Sequence, residues 1–525
     1  MIDERAVGAA YEKLRRYKSD KKSVDERIID AEEWWKRRHE SGRGSGSAWL
    51  FNSVANKHAD AMDQMPEAVI LPREESDGET AEVLSKVIPC VLELSDFEEV
   101  YSAVWYDKLK YGTGCYGVVW DPAASGGAGE IRVMPVDVLN LFWEGGIGDI
   151  QKSPSVFHVE LRNNGELKEE YPILEDVLSS PDFRPSEYLF DDAVDVSDKS
   201  AVVDWYYKIK KDGREVVHLC KFCGGKILFA SENEEGYGEG FYSHGKYPFV
   251  FDRLYPVKGS PCGFGFIDVM KGTQCQIDQL GDSILENARM ASKVRYFVRG
   301  DGSINEEEFA DWSKPLVHVA GSRLGEDSLR QIVVSPLDDL YVSIMNGKIS
   351  ELKETTGNRD FTQGGTTGGI TAASAIAALQ EAGSKLSRDM IKGSYSAFSK
   401  VVSLVIELMR EFYDEPRYFR IAGDGGYSFV TFDGGALSRR AVELYGVGIG
   451  ERLPVFDVRV SAVKQTPFAK ASQNELAKEF FAMGFFDPRR RTEAAACLSM
   501  MDIEGKDAMM ARLLDSPLPP VGAGS

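Results

Sequence analysis

The stretch TTGNRDFTQGGTTGGITAASAIAALQEAGSK, which spans residues 355–385, decides how the rest of this sequence is interpreted. Its first half contains five glycines and no sustained apolar period, whereas its second half is rich in alanine. An apolar-periodic run then continues to Phe412 and predicts a long helix. A glycine-rich loop directly before a helix is typical of a phosphate-binding loop. It is also typical of a mobile loop that the helix anchors.

The residues around the glycines favour the mobile loop. A P-loop requires the pattern G-x-x-x-x-G-K-[ST], because its lysine reaches the phosphates and its hydroxyl holds magnesium. Here Gly369 is followed by Ile370 and Thr371, and a charged helical segment precedes the loop instead of an apolar strand. The GFGF run at residues 263–266 lacks the third glycine of a dinucleotide fingerprint. We therefore expect no nucleotide cofactor.

Size, charge and cysteine content bound the class of protein. The chain has 525 residues, of which 43% are hydrophobic and 28% charged, and this length suits about two to four domains. A net charge of -21 argues against tight non-specific binding of nucleic acid over the whole surface, but it is compatible with an acidic wall past which DNA slides. The scattered cysteines, the charged start and the lack of a long apolar run predict a cytosolic chain without membrane spans.

Periodicity predicts helices in the first part of the chain. Residues 1–40 are expected to be helical, with Ser23 as the N-cap of a second helix. A later helical pair is expected to break near Pro89 and to end at Gly112. Mostly β-strand patterns follow, interrupted by a more polar stretch near residues 165–190 that is expected to be helical.

The helical period then returns around a small mixed insert. The first helix is expected over residues 267–294, and the second is expected to have Ser335 as its cap and Pro336 at its first position. After the glycine-rich loop and the long helix, a second β-rich block and C-terminal helices follow. This order of segments predicts an α+β fold.

No set of residues forms a recognisable catalytic or metal site. Cys220 and Cys223 form one CxxC pair, but structural zinc needs four ligands and the other cysteines are isolated. Strand alternation and the Gly-Gly pair that follows predict a hairpin with two small buried or half-buried thiols. The six histidines are far apart, and no GxSxG nucleophile elbow is present. We predict no catalytic residue, no metal and no cofactor.

The order of these segments resembles that of the portal proteins of tailed bacteriophages. YDKLKYGTGCYGVVWD followed by IRVMPVDVLNLFWE is similar to the family's helix, turn and paired strands. The stretch from YPVKGSPCGFGF to ENARMASK resembles the entry into its first stem helix, and GGITAASAIAALQEAGSKLSRDM resembles the start of its long helix. The segment from VSAVKQTPFAK to GKDAMMARL is similar to its C-terminal helices. The resemblance spans about residues 49–514.

This resemblance implies an α+β portal fold with a β-rich wing, a two-helix stem, a small α/β clip, a long helix and a helical C-terminal crown. The implied boundaries are an N-terminal helical arm and linker (1–48), the first part of the wing (49–266), stem helix 1 (267–294), the clip (295–335), stem helix 2 (336–355), the channel loop (356–370), the long helix (371–414), the second part of the wing (415–466) and the crown with its tail (467–525).

The resemblance also implies a function without catalytic activity. The expected assembly is a homo-oligomeric ring, a dodecamer, at one capsid vertex of the virion. During assembly the protein is expected in the host cytoplasm. Double-stranded DNA would pass through it during packaging and ejection. The expected protein partners are the large terminase, head-completion or adaptor proteins, a scaffold protein and the major capsid protein, and no membrane is involved.

Three groups of residues are expected to carry these roles. Lys353, Arg359, Phe361 and Gln363 are expected to face DNA at the channel loop. Glu306, Glu307, Glu308 and Asp311 are expected to form a partner-docking surface on the clip, although a solvated helix face explains the same charges. The small residues Ala375 and Ala378 are expected to contact a neighbouring copy.

Two other classes of function stay open from the sequence. One is a different structural ring component of a phage, such as an adaptor, although a two-helix stem around an insert argues against the shorter adaptors. The other is an enzyme with a hydrolytic site that is assembled only in space.

Overall fold

The computed structural model describes residues 1–36, 47–175, 178, 183–185, 197–292, 295–298, 304–311, 313, 315–316, 318, 329–332, 337–357, 385–423, 426–444, 447–464, 478–480, 482–484 and 491–499. Helices and strands are mixed along these residues, which confirms the α+β class. The helices are α1 (Glu4–Trp35), α2 (Trp49–Met62), α3 (Gly78–Glu93), α4 (Phe97–Tyr111), α5 (Asn164–Glu170), α6 (Phe266–Ser292), α7 (Glu306–Ala310), α8 (Asp339–Thr356), α9 (Lys385–Phe412) and α10 (Arg491–Ser499).

The strands form two larger sheets and several two-stranded pairs. One sheet has the order β3-β2-β9 and the other the order β4-β5-β6-β7-β8, and all neighbours within them are antiparallel. The pairs are β1-β18, β10-β11, β12-β13, β14-β15 and β16-β17. The strands are β1 (Gln64–Pro72), β2 (Thr113–Asp121), β3 (Glu130–Pro135), β4 (Leu141–Trp143), β5 (Ser155–Asn163), β6 (Lys199–Lys211), β7 (Arg214–Cys223), β8 (Lys226–Ala230), β9 (Phe249–Arg253), β10 (Tyr255–Pro256), β11 (Gly263–Phe264), β12 (Arg295–Val298), β13 (Leu329–Ile332), β14 (Arg417–Gly423), β15 (Gly426–Phe432), β16 (Arg440–Leu444), β17 (Val447–Arg452) and β18 (Phe456–Lys464).

The N-terminal segment is one continuous helix, so the prediction of a second helix capped by Ser23 is wrong. The true cap is Asp3, whose side chain accepts a hydrogen bond from the Ala6 backbone N–H at 2.9 Å. Ser23 is exposed in the middle of α1, between the buried residues Lys21 and Asp25. These two residues form an ion pair at 2.7 Å, and because they are one turn apart they favour continuation of the helix.

The break between α3 and α4 lies five to seven residues after Pro89, so the predicted break near Pro89 is corrected. Pro89 lies inside α3, and the buried residues Val91 and Leu92 extend the helix beyond it. The break falls between Glu93 and Phe97 and includes Asp96, which has a left-handed backbone with φ of 48°. Gly112 ends α4 with φ of 88°, as predicted.

The two helices that flank the insert are present. The first begins at Phe266 and ends at Ser292, close to the predicted bounds. The second begins at Asp339 and not at residue 336, because Asp338 has an extended backbone and the Leu337 N–H donates to Asn287 Oδ1 of α6 at 3.0 Å. This bond fixes the chain against α6 before the helix starts. The predicted cap, Ser335, lies outside the described residues.

One hydrophobic core cluster lies where α1 covers the five-stranded sheet. Because α1 places an apolar residue on its inner face about once per turn, it seals one face of this sheet. The hairpin predicted at the CxxC pair is also confirmed. β7 and β8 form it through Gly224 and Gly225, and the thiols of Cys220 and Cys223 are both buried. The buried cluster comprises Val7, Ala10, Leu14, Tyr17, Phe142, Phe157, Val159, Phe183, Val203, Tyr207, Cys220, Phe222 and Ala230.

The chain divides into two compact units. The larger unit comprises Met1–Ala59 and Ala68–Val460, and it contains both larger sheets and the helices from α3 to α9. The smaller unit comprises Asp60–Glu67 and Ser461–Ser525. Within the described part of the smaller unit, α10 buries Ala494 and Leu498.

Candidate functional site

The helices α6 and α8 form an antiparallel pair that carries a small insert at one end. The start of α8 is bonded to Asn287 near the end of α6, and the insert between them contains the antiparallel pair β12-β13. At the opposite end, Gln274 of α6 and Lys353 of α8 both contact the segment that starts α2. The insert therefore lies at the end of the helix pair that is opposite to its contacts with α2.

The base of α6 is held by buried polar contacts. Gln274 Oε1 accepts a hydrogen bond from the Leu50 N–H at 3.1 Å, and its amide donates to Ser47 Oγ at 2.8 Å and to Asp278 Oδ1 at 2.9 Å. On another side, Lys271 pairs with Asp30 of α1 at 2.6 Å. Buried hydrogen bonds fix the direction as well as the position of a helix, so these contacts hold α6 in one orientation.

Two glycine motifs that the sequence presents far apart pack against each other at this base. A Cβ at Gly112 would lie 2.1 Å from the Phe264 carbonyl carbon, so only glycine permits this approach. The Gly263 N–H also donates to Thr113 Oγ1 at 2.8 Å. The YGTG and GFGF runs therefore form one junction between α4 and α6. Sequence analysis missed this contact because nothing in either motif specifies which distant segment it packs against.

The end of α8 and the start of α9 are neighbours. Gly357, with φ of 68°, ends α8, and a Cβ added to it would lie 3.5 Å from the Leu386 side chain of α9. Nearby, the buried Lys57 ammonium donates to Ser387 Oγ at 2.9 Å. The described residues on the two sides of 358–384 therefore lie next to each other. We call this place, formed by Lys57, Gly357, Leu386 and Ser387, the loop root.

Of the four residues predicted for the channel loop, the structure describes Lys353. Its ammonium lies 5.2 Å from the centroid of the Trp49 ring, a cation–π contact that draws it towards the start of α2. Arg359, Phe361 and Gln363 lie outside the described residues. The predicted subunit-contact residues, Ala375 and Ala378, also lie outside them.

A buried ionic network ties α9 to α4 and β9 just beyond the loop root. Lys108 of α4 is completely buried, and its ammonium donates to Asp252 Oδ1 at 2.8 Å, to Ser394 Oγ at 2.6 Å and to the Met390 carbonyl at 3.1 Å. The Ser394 hydroxyl donates in turn to the second carboxylate oxygen of Asp252. Every strong donor and acceptor of this network has a partner, which is the condition for a buried charge to be tolerated.

The four predicted clip residues lie together but differ in their partners. Glu306 and Glu307 are exposed on α7. Glu308 Oε2 accepts hydrogen bonds from His318, at 2.8 Å from its N–H and at 2.7 Å from Nδ1. Asp311 accepts from Ser313, and these hydrogen bonds lower the pKa of its carboxyl group. Glu308 and Asp311 therefore have partners within the insert, whereas Glu306 and Glu307 face solvent.

Burial raises the pKa values of several acidic groups. Burial raises the pKa of Asp107 to about 6 and that of Glu411 to about 7, the latter against hydrogen bonds from Ser243. Burial likewise raises the pKa of the Cys220 thiol to about 12, so this thiol is protonated and a poor metal ligand. Within the described residues, no group of three or more His, Cys, Asp or Glu side chains is arranged to hold a metal ion. None of the described helices is long and apolar enough to cross a membrane.

Comparison with known proteins identifies the family. A search of curated protein sequences found no match. Among solved structures, the chain is similar to one from the virion of a native gene transfer agent particle, with 10% sequence identity, a TM-score of 0.38, and coverage of 86% of this chain and 90% of that chain. The family model described as phage P22-like portal protein matches residues 54–521. Because this match spans most of the sequence, the chain belongs to the family of phage P22-like portal proteins.

Proposed function

We propose that this chain is the subunit of a dodecameric ring at one capsid vertex, through which viral DNA is packaged and ejected. The observation that carries the proposal is the loop root: a two-helix stem and the long helix α9 meet where residues 358–384 leave and return. In this assignment the β-rich parts over residues 49–266 and 415–466 are the wing, and residues 1–48 form an N-terminal arm. The stem comprises residues 267–294 and 336–355, the clip residues 295–335, the channel loop residues 356–370, the long helix residues 371–414 and the crown residues 467–525.

The exposed surface of the stem supports assembly into a ring. The side chains of Leu285 and Met290 on α6 and of Leu340 and Ile344 on α8 are large, apolar and exposed in the single chain. Several such residues on one pair of helices typically mark a surface that another protein covers. Contact with the neighbouring copies around a ring would remove them from water and stabilise the assembly.

The loop root supports a role for the channel loop in contact with DNA. In the proposed ring, Arg359, Phe361 and Gln363 of each copy face the duplex, and Lys353 adds a cation at the edge of the loop. One arginine in each copy makes a weak phosphate contact, but the ring repeats it around the duplex. Such contacts centre the DNA without retaining it, because each single ionic contact contributes little at physiological salt.

Negative-stain electron microscopy of the purified chain tests the proposed function. We expect closed rings with an axial hole, and classification of end-on views gives the number of subunits. A chain that stays monomeric at micromolar concentration, or that forms rings without a hole, would contradict the proposal. Turnover of a hydrolytic substrate by the monomer would favour the enzyme alternative.

The first expected result concerns assembly. We expect that the double variants A375L/A378L and A375E/A378E fold but close rings poorly, because bulk or charge at a close helix contact disrupts packing. Sedimentation velocity measures the ring fraction, and circular dichroism checks the fold. The double serine variant, which keeps both side chains small, is the matched control. Normal ring closure by both pairs of variants would remove Ala375 and Ala378 from the interface.

The second expected result concerns the clip. We propose that the large terminase and, later, the head-completion proteins dock on it. We expect E306K/E307K to weaken terminase binding by roughly tenfold at low salt and less at high salt, because exposed charges steer a complementary basic partner. The matched control is E166K/E169K, which makes the same charge change on the exposed residues of α5. Equal binding by the clip variant and wild type at low salt would show that these glutamates form only a solvated face.

A further inference from the structure

An acidic corner lies between α3 and α4, where its Glu93 and Leu94 line an open cavity of about 1150 Å³ together with Arg417 and Arg420. Leu94 is 64% exposed, and four exposed acidic residues lie within five positions of it along the chain. None of these carboxylates forms an ion pair within the described part of the chain. Asp96 adopts a left-handed backbone here, and its side chain does not cap α4, so the carboxylate stays available. The acidic corner comprises Glu93, Leu94, Asp96, Glu98 and Glu99.

A cationic cleft of about 340 Å³ lies elsewhere on the wing, between β9 and α9. Lys246, Arg253 and Lys400 line it, and neither lysine forms an ion pair within the described residues. The lining also contains one carboxylate, Asp149, whose Oδ1 accepts a hydrogen bond from the Gln151 N–H at 3.0 Å, so three cations face one acid there. The apolar part of the lining includes Ile150, Phe251 and Leu404. An apolar interior with positive charge around it suits an apolar side chain that carboxylates flank.

The corner and the cleft border opposite edges of the same sheet. Ser95 in the acidic corner accepts a hydrogen bond from the Val133 N–H of β3 at 3.1 Å, and β3 is one edge strand of the order β3-β2-β9. The cleft borders β9, the other edge strand, where Arg253 also donates to the Gly148 carbonyl. Two different surfaces on opposite edges are the geometry that a head-to-tail contact between identical copies requires.

We propose that the acidic corner of one copy docks into the cationic cleft of the next copy around the ring. Leu94 enters the cleft and contacts its apolar lining, and the surrounding carboxylates meet Lys246, Arg253 and Lys400. This inference rests on the proposed ring. It explains how chains with a net charge of -21 approach one another: their cations are concentrated where a neighbour's carboxylates arrive, which offsets the general repulsion.

Charge reversal and exchange test this pairing. We expect E98K/E99K and K246E/K400E each to lower the ring fraction at least tenfold at low salt, and we expect the variant that combines all four changes to recover most of it. The control E166K/E169K, with the same charge change as E98K/E99K, should form rings normally. Sedimentation velocity at two salt concentrations and negative-stain microscopy provide the readout.

Carbodiimide cross-linking tests the contact without any substitution, because it joins a carboxylate and an amine that touch. We expect wild-type rings, assembled from a mixture of isotopically light and heavy chains, to give mixed light–heavy cross-links between Glu98 or Glu99 and Lys246 or Lys400. Normal rings from both reversal variants, together with the absence of these cross-links from wild-type rings, would overturn the pairing and leave the ring itself intact. If the wild-type chain formed no ring, the proposed function would fail instead.

Discussion

Replacing Lys108 by methionine is expected to lower the free energy of unfolding by about 3–5 kcal/mol, the cost typical of removing one partner from a buried ion pair. Methionine fills a similar volume, but it leaves the Asp252 carboxylate buried with the Ser394 hydroxyl as its remaining partner in the network. The Met390 carbonyl loses a donor as well. Urea unfolding followed by circular dichroism measures the change.

Two matched variants separate the buried charge from lysine removal in general. Lys86 pairs with Glu82 at 2.7 Å on the exposed face of α3, and we expect K86M to leave the free energy of unfolding nearly unchanged. The double variant K108M/D252N removes both charges, and we expect it to recover much of the stability that K108M loses. If K108M were as stable as K86M, the network would not anchor α9 to α4 and β9.

Deletion of residues 364–368 is expected to leave the ring intact and to reduce the length of DNA that assembled heads package or retain. The loop root is formed by residues on α2, α8 and α9, so a shorter connection between the same two points costs little stability. The missing residues would, however, shorten the reach of the loop towards the duplex. Packaged genome length is measured beside a count of intact rings.

A variant with alanine at Gly364, Gly365 and Gly368 keeps the length of the loop and replaces only the three glycines that the deletion removes. We expect it to package more DNA than the deletion and less than wild type, because alanine restricts the backbone conformations that glycine allows. Full-length packaging by the deletion would contradict the proposed contact with DNA, and the glycines would then be only a connector.

Local patterns determined where most described helices lie. The apolar period of α6 predicted its bounds to within two residues, because one helix face must be buried whatever it packs against. Gly112 marked the end of α4, since glycine adopts the left-handed conformation at little cost. The Gly-Gly pair after Cys223 marked a hairpin for the same reason. These signals are short in range, so the sequence carries them without help from the rest of the fold.

Local signals failed where a distant contact changed the outcome. Ser23 has the spacing of a helix cap, but the buried pair of Lys21 and Asp25 continues α1 past it, and Lys21 also donates to the Val138 carbonyl at 2.6 Å. Pro89 is tolerated within α3 because the residues after it are buried. The start of α8 moved because Leu337 bonds to α6. In each case tertiary packing outweighed a local preference. Such a preference is worth about 1 kcal/mol for a helix cap and a few kcal/mol for proline inside a helix.

The sequence by itself determined the class of the protein, the order of its segments and the resemblance to portal proteins that the family match confirmed. It also indicated Glu306, Glu307, Glu308 and Asp311 as one charged group, because they are neighbours along the chain. Only the tertiary structure decided which of these acids already have partners within the clip. It alone joined Lys108 to Asp252 and placed the acidic corner and the cationic cleft on opposite edges of one sheet. The physical reason is that Lys108 and Asp252, like the corner and the cleft, are many residues apart in the chain, so nothing in the local pattern of either member specifies the other.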